Sequence, residues 1–281
     1  MKKHLYHRDN LLAMLDWHTM NLLNIIRVAA CLLILGYSCV TDWKVRRAPN
    51  QLWYILGGIG IILGLIELYI SNFNVFLMYS WAFGVAFIFV LVYFLYYLFQ
   101  HFGMAGLGGA DAKALIAIAI LFPYYPHIGL LGLSLPISDV TRSLFFGLAV
   151  FGNALVLNLA VPIAVFIYNL FNVPLSELAS NPFNSFMGYM TRIEGLKGKY
   201  VRLMHRYSDE EGRIKKKRAL GGVEIDDKAY DDLLKWKKEG RIGERVWVTP
   251  KIPFLIPITA GFVAAIAYGD ILTQIISMAI L

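Results

Sequence analysis

The chain has 281 residues, 58% of them hydrophobic and only 16% charged, with a mean hydropathy of +0.59. Soluble domains carry about 25% charged residues, so this composition excludes an ordinary soluble domain and points to several membrane-spanning helices. The net charge is +7 and is concentrated: 17 of the 26 Lys+Arg and 11 of the 19 Asp+Glu fall in residues 189–251, which hold six of the seven net charges.

Residues 1–20 are polar, mildly basic and poorly patterned, compatible with a short surface helix or a tail. The first apolar span covers residues 21–41. Arg27 interrupts it, close enough to the end for its guanidinium to snorkel to the headgroups. That run lacks a small-residue cleavage site, so no cleavable signal peptide is expected. Its two cysteines, Cys31 and Cys39, lie on about the same helical face but too far apart to bond within one helix. They read as core or lipid-facing thiols. No cysteine spacing of the metal-binding kind occurs, and no metal is expected.

A charged stretch, Asp42-Trp43-Lys44-Val45-Arg46-Arg47-Ala48-Pro49-Asn50, follows the first span. Pro49 blocks continuation of the first helix and suits the start of the next. The second span covers residues 52–70 and the third 75–99. A glycine-bearing loop then leads to Asp111 and a fourth run, 112–122, broken by Pro123, Pro126 and His127 and followed by an apolar piece to 135. The fifth span covers 143–171, with Pro162 as its kink. Residues 189–251 carry a basic run, 213–218, and an acidic helix-like stretch, 224–239. The last span, 252–281, opens on Pro253 and Pro257, an irregular start that a membrane tolerates only where protein or water covers the freed backbone. Glycines 57, 58, 60 and 64 allow tight helix packing.

The expected fold is therefore an all-α membrane protein of about six transmembrane helices, with a small polar cytoplasmic domain between the fifth and sixth. Its divisions are a polar N-terminal segment (1–20), a five-span core (21–188), the charged domain (189–251) and a final helix (252–281). Cations in short loops face the cytoplasm, which places Lys44, Arg46 and Arg47 inside. Alternation from there also puts the loop before Asp111 and the charged domain inside. Lys2, Lys3 and Arg8 fall outside, against the rule.

Two aspartates thus reach the same membrane face, Asp42 closing one span and Asp111 opening another. A carboxylate at membrane depth is costly and marks function. Gly106, Gly108, Gly109 and Ala110 before Asp111 remove side-chain bulk, so another backbone can approach. Taken singly, Asp111 reads equally as a helix cap and Asp42 as a partner of Lys44 or Arg46. Together, two carboxylates in one site share a proton and titrate as a unit, the equipment of aspartic hydrolysis.

Asp42 with Lys44, Arg46, Pro49 and Asn50 resembles the D-x-K-x-R-x-x-P-N pattern of type IV prepilin and archaeal preflagellin peptidases. Gly108-Gly109-Ala110-Asp111-Ala112-Lys113 resembles their G-x-G-D-x-K, with Ala110 replacing the second glycine. The six-span layout with a polar insert before the last span is most similar to the archaeal preflagellin branch. The resemblance implies a GxGD-type aspartyl membrane protease with Asp42 and Asp111 catalytic. Gly108, Gly109, Ala110, Lys113, Lys44, Arg46, Pro49 and Asn50 would support them. It implies no cofactor, and substrates that are archaellin (preflagellin) or type IV pilin-like precursors with short basic leaders, cut at the cytoplasmic face of the cell membrane. The resting aspartates are expected to lie too far apart for direct contact. The early cytoplasmic loop with paired zinc cysteines, found in bacterial members that also methylate the new N-terminus, is absent here.

Other residues carry competing readings. Lys113 tunes the pair, binds lipid phosphate or simply snorkels. Arg46 and Arg47 read more as topology signals than as substrate contacts, and His101 and His127 as ordinary loop residues. The basic run Lys215–Arg218 reads as a contact with anionic lipid headgroups, not as a nucleic-acid site. Asp226, Asp227, Asp231 and Asp232 form either a solvated helix face or a receiver for a basic leader. The Pro253–Pro257 stretch resembles the proline-containing helix start of some intramembrane aspartyl proteases, or is a plain kinked entry. Two other classes compete. A presenilin or signal-peptide-peptidase-like protease is opposed by Thr41, which stands where those families place tyrosine. A carboxylate-lined transporter would need carboxylates near the middle of spans and internal repeats, and the chain shows neither.

Overall fold

The computed structural model describes residues 2–102, 107–130, 132–138, 145–210 and 212–280. They divide into two compact units. The first comprises Met1–Tyr96, Leu107–Asn158 and Pro253–Leu281; the second comprises Tyr97–Gly106 and Leu159–Ile252. Among the described residues four runs are long and apolar enough to cross a membrane: Trp17–Val45, Asn50–Ile70, Val75–His101 and Phe146–Asn172. A bent pair of helices near the C-terminus makes a fifth if counted as one span. The expected fourth run forms only a 13-residue helix, about 20 Å long against a hydrocarbon core of about 30 Å, and is not among them. Among the described residues the count is thus four or five, which does not confirm the expected six.

In the first unit α1 (Lys2–Val45) is one continuous helix that includes residues 2–20. It ends where Arg46 takes a left-handed φ of 56° and donates its N–H to the Asp42 carbonyl at 3.0 Å. Pro49 then caps α2 (Asn50–Ile70) in extended conformation. α3 (Val75–His101) and α4 (Gly109–Leu121) pack on α2 through its glycines. A Cβ at Gly60 would lie 2.8 Å from the Leu121 backbone, and one at Gly64 would strike the Trp81 ring, so these two glycines permit the contact. Gly58 faces open space and has no such role.

Beyond α4 the chain forms a hairpin, β1 (Ile128–Leu130) with β2 (Leu133–Leu135), and then α5 (Phe146–Asn158). Residues 143 and 144, the expected start of the fifth span, lie outside the described set. α5 stops at the residue whose carbonyl would need the N–H that Pro162 lacks, and α6 (Ala160–Asn172) resumes the run. The last run is two helices, α10 (Leu255–Ala267) and α11 (Ile271–Ile280), bent by 72°. The main irregularity therefore lies inside the run, not only at its proline-bearing start. Asn153 covers that break: its amide donates to the Gly269 carbonyl at 2.8 Å and its Oδ1 accepts the Ile271 N–H at 2.8 Å.

Arg27 does not snorkel. It is 1% exposed and pairs with Glu67 of α2 at 2.6 Å, while Asn24 accepts from it at 3.2 Å and Tyr124 donates to the other Glu67 oxygen. Fifteen residues of helix put this network about 22 Å from Asp42. It binds α1, α2 and the chain after α4 at the end of the unit away from both aspartates.

The second unit is not all-helical. β3 (Tyr189–Arg192), β4 (Val201–Glu210), β5 (Arg213–Val223) and β6 (Arg245–Pro250) form an antiparallel sheet in the order β3-β6-β4-β5. Strand alternation sends Val246 and Val248 to a cluster with Leu233 and Trp236 of α9 (Asp227–Lys238). It sends Trp247 the other way, to Leu178 of α7 (Leu175–Ser180), where the indole donates to Glu177 at 3.2 Å. The acidic helix-like stretch is α9, and Asp226 is its N-cap, accepting the Ala229 N–H at 2.7 Å. The strands were hidden in the sequence because β5 carries five cations and so reads as a solvated charge run.

His205 of β4 is buried; burial first, then Lys216 and Arg218, push its imidazole from 6.5 down to about 4. The folded state thus favours neutral imidazole. Stability from this group is complete above about pH 6.5 and is lost as the pH falls toward 4. Acidification from pH 7 to 5 should destabilise the sheet domain by at most about 2 kcal/mol, read as earlier thermal loss of near-ultraviolet signal from Trp236 and Trp247; His205→Gln should flatten that dependence. At the far network, Arg27→Met should cost about 3–5 kcal/mol by stranding Glu67, and the double change Arg27→Met/Glu67→Met should restore most of it, as measured by thermal unfolding in detergent.

Candidate active site

Asp42 occupies the last turn of α1, half-buried. Carbonyl dipoles at a helix C-terminus disfavour a carboxylate, so local helix stability does not account for it. Its side chain makes no hydrogen bond or ion pair to a described residue, so Arg46 acts on it only through space. Arg46 lies within electrostatic range and stacks over Trp43 at 5.8 Å.

Asp111 sits in the first turn of α4, 7% exposed, where the dipole favours an anion. Its Oδ2 accepts the Gly108 N–H at 2.8 Å, so the capping contact exists. Oδ1 has no partner among the described residues. Asp42 lies close enough for its charge to act on the Asp111 carboxyl, and no hydrogen bond joins the two among the described residues. α1 and α4 touch directly.

Of the supporting residues, Lys113 is tied most specifically: its Nζ donates to Asn50 Oδ1 at 2.8 Å, joining the end of one motif to the end of the other. It neither snorkels free nor stands beside Asp111 alone. Pro49 caps α2, and Lys44 is exposed. Gly109 faces open space, whereas a Cβ at Gly108 would stand 3.0 Å from Asp111 Oδ2. Ala110 is half-buried between Gly109 and Asp111. Gly106 lies outside the described residues.

Sequence reading missed Cys39. One turn before Asp42 on the same helical face, its Sγ meets Thr259 Oγ1 at 3.0 Å and the Leu255 carbonyl at 3.4 Å. The first turn of α10, the Pro253–Pro257 region, is thereby fastened beside the aspartate-bearing end of α1. The i, i+3 spacing to Asp42 was the available signal.

The model of the type IV leader peptidase family matches residues 28–168, a stretch that contains both aspartates. The chain belongs to the type IV leader peptidase family. A second model, the archaeal peptidase A24 C-terminus type II, matches residues 180–271, the sheet domain with α10. The preflagellin peptidase of Methanococcus voltae is 30% identical over 252 residues, 89% of this chain and 98% of that protein. The preflagellin peptidases of Methanococcus maripaludis strain C6 and Methanocaldococcus jannaschii are each 24% identical. These matches cover 83% and 89% of this chain and 90% and 95% of those proteins. Membership in this leader peptidase family makes the chain a protease.

Gly108 and Gly109 make a paired test. Gly108→Ala should displace the Asp111 carboxylate and lower leader-peptide cleavage by about tenfold or more, while Gly109→Ala should stay within about twofold of wild type, as followed by precursor-to-mature conversion on gels.

Proposed function

We propose that this leader peptidase is an aspartic endopeptidase whose catalytic groups are Asp42 and Asp111. The observation that carries this is their juxtaposition: two carboxylates on touching helices, one buried and one set against the helix dipole with no hydrogen bond to a described residue. Sharing one proton, the ionised member takes a proton from water while the protonated member donates to the scissile carbonyl or the leaving amine. Atoms balance without a cofactor: water adds across the peptide bond and the dyad returns to its starting protonation.

Its substrates are preflagellin or type IV prepilin-like precursors, cut between a short basic leader and the apolar helix that follows. Support comes from the names of the relatives and from the length over which they match. The site faces the cytoplasm, a reading supported by Lys44, Arg46 and Arg47 between α1 and α2. In the resting arrangement Oδ2 of Asp111 is engaged by Gly108 and the aspartates do not bond. Direct sharing of a proton would need α1 and α4 to draw closer at this end, the end opposite the Arg27–Glu67–Tyr124 network. The Lys113–Asn50 bond keeps α4 in register with α2 during that movement.

A co-expressed precursor cleaved by wild type, and a loss of at least about 100-fold in both Asp42→Asn and Asp111→Asn while each still inserts in the membrane, is the expected outcome. Near-wild-type cleavage by either variant removes that aspartate from the mechanism. A wild type that leaves both precursor classes intact overturns the substrate assignment.

A further inference from the structure

β5 is the terminal strand of the sheet, and five of its first six residues are exposed cations: Arg213, Lys215, Lys216, Lys217 and Arg218. Exposed Arg206 of β4 stands directly opposite Lys217, a like-charge pair that works against strand pairing. Glu224 neutralises Arg202, at the start of β4, and Lys251; Glu194 neutralises Lys237, and Asp209 with Glu239 neutralises Arg241. Of the remaining cations on the β4–β5 hairpin, Lys215 has the carboxylate of Glu210; Arg206, Arg213, Lys216 and Lys217 meet none among the described residues. Charges on an edge strand do deter edge-to-edge pairing, but that role does not call for apolar side chains beside them.

Apolar side chains are there. α6 closes the apolar run Phe146–Asn172, and α8 (Pro182–Met187) folds back along its last turns. Phe166 of α6 stacks on Phe186 of α8 at 4.3 Å and 7°, and buried Asn169 donates to the Ser185 and Gly188 carbonyls at 2.8 and 2.6 Å. α8 therefore lies against the end of that apolar run, with Phe183, Phe186 and Met187 exposed. Arg218 of β5 sits over the Phe183 ring at 4.7 Å, placing that end of the basic strand at the same level. Exposed aromatics beside unneutralised cations are the signature of an interfacial surface.

We propose that α8 and the β4–β5 hairpin form a membrane-surface contact selective for anionic lipid headgroups. Arg206, Lys216, Lys217 and Arg218 meet lipid phosphates, and Phe183 and Phe186 enter the acyl boundary. The contact is separate from the aspartates and independent of whether they cleave. It recognises charge density, so salt weakens it as the Debye length shrinks from about 8 Å at 0.15 M to about 3 Å at 1 M.

Hydrogen exchange of the full-length chain, in nanodiscs of phosphatidylcholine alone or with phosphatidylglycerol, tests this. In the anionic discs residues 182–187 and 212–219 should exchange about tenfold more slowly, with α9 unchanged as the internal control. The protection should vanish at 1 M salt and in Arg206→Gln/Lys216→Gln/Lys217→Gln, whose α9 protection would report an intact fold. Equal exchange in the two lipids overturns the proposal, as does undiminished protection in the triple variant. Protection conferred by single-stranded RNA in phosphatidylcholine discs, with none from phosphatidylglycerol, would assign the surface to nucleic acid instead.

Discussion

Hydrocarbon offers no water to a polar group, so every donor, acceptor and charge within it needs a protein partner. The first unit meets much of this need, although Arg27 Nε and the Trp53 indole N–H have no partner among the described residues. Arg27 and Glu67 neutralise one another and are bonded further by Asn24 and Tyr124. The break between α10 and α11 is covered by Asn153, and the indole of Trp81 finds the Ile120 carbonyl at 3.0 Å. Against that background Asp42 stands apart, a half-buried carboxylate with no described hydrogen bond in the last turn of a helix. What the surroundings withhold from it is what a reacting carboxylate needs: lone pairs not already spoken for.

The same economy shapes the neighbourhood of Asp111. One oxygen is held by the Gly108 N–H and the other has no partner among the described residues. A carboxylate anchored through one oxygen keeps its position while the other is available to water or substrate. Capping is thus compatible with the catalytic role proposed for this side chain and would supply the orientation that role requires. Lys113 and Asn50 extend this anchoring to α2, and Cys39 with Thr259 extends it from α1 to α10. Both fastenings lie at the aspartate-bearing end; the charged network fastens the opposite end.

Much of the chain was legible from its letters. Apolar run length marked α2 and α3 nearly to their ends, and Pro162 marked the division of α5 from α6 because the missing N–H removes a helix bond at a definable carbonyl. Asp226 followed by a polar stretch announced α9. Misreadings had equally definite causes. Arg27 looked like a snorkelling residue because its partner, Glu67, is 40 residues away. β5 looked like a charge run because cations on an edge strand mask its pattern, and β1 and β2, at three residues each, are too short to show alternation.

By itself the sequence determined the membrane character, the two aspartate motifs and their order, because apolar run length and charge are properties of contiguous residues. Which motif residues meet was decided only by the tertiary structure. The Lys113–Asn50 bond spans 63 residues, the Cys39–Thr259 contact 220, and the cover of the final bend by Asn153 118. No local pattern carries such information, since each contact depends on how helices far apart in the chain pack. The proximity of Asp42 and Asp111 is of this kind: each letter stood in plain view, and the folding of α1 against α4 brought them within range of one another.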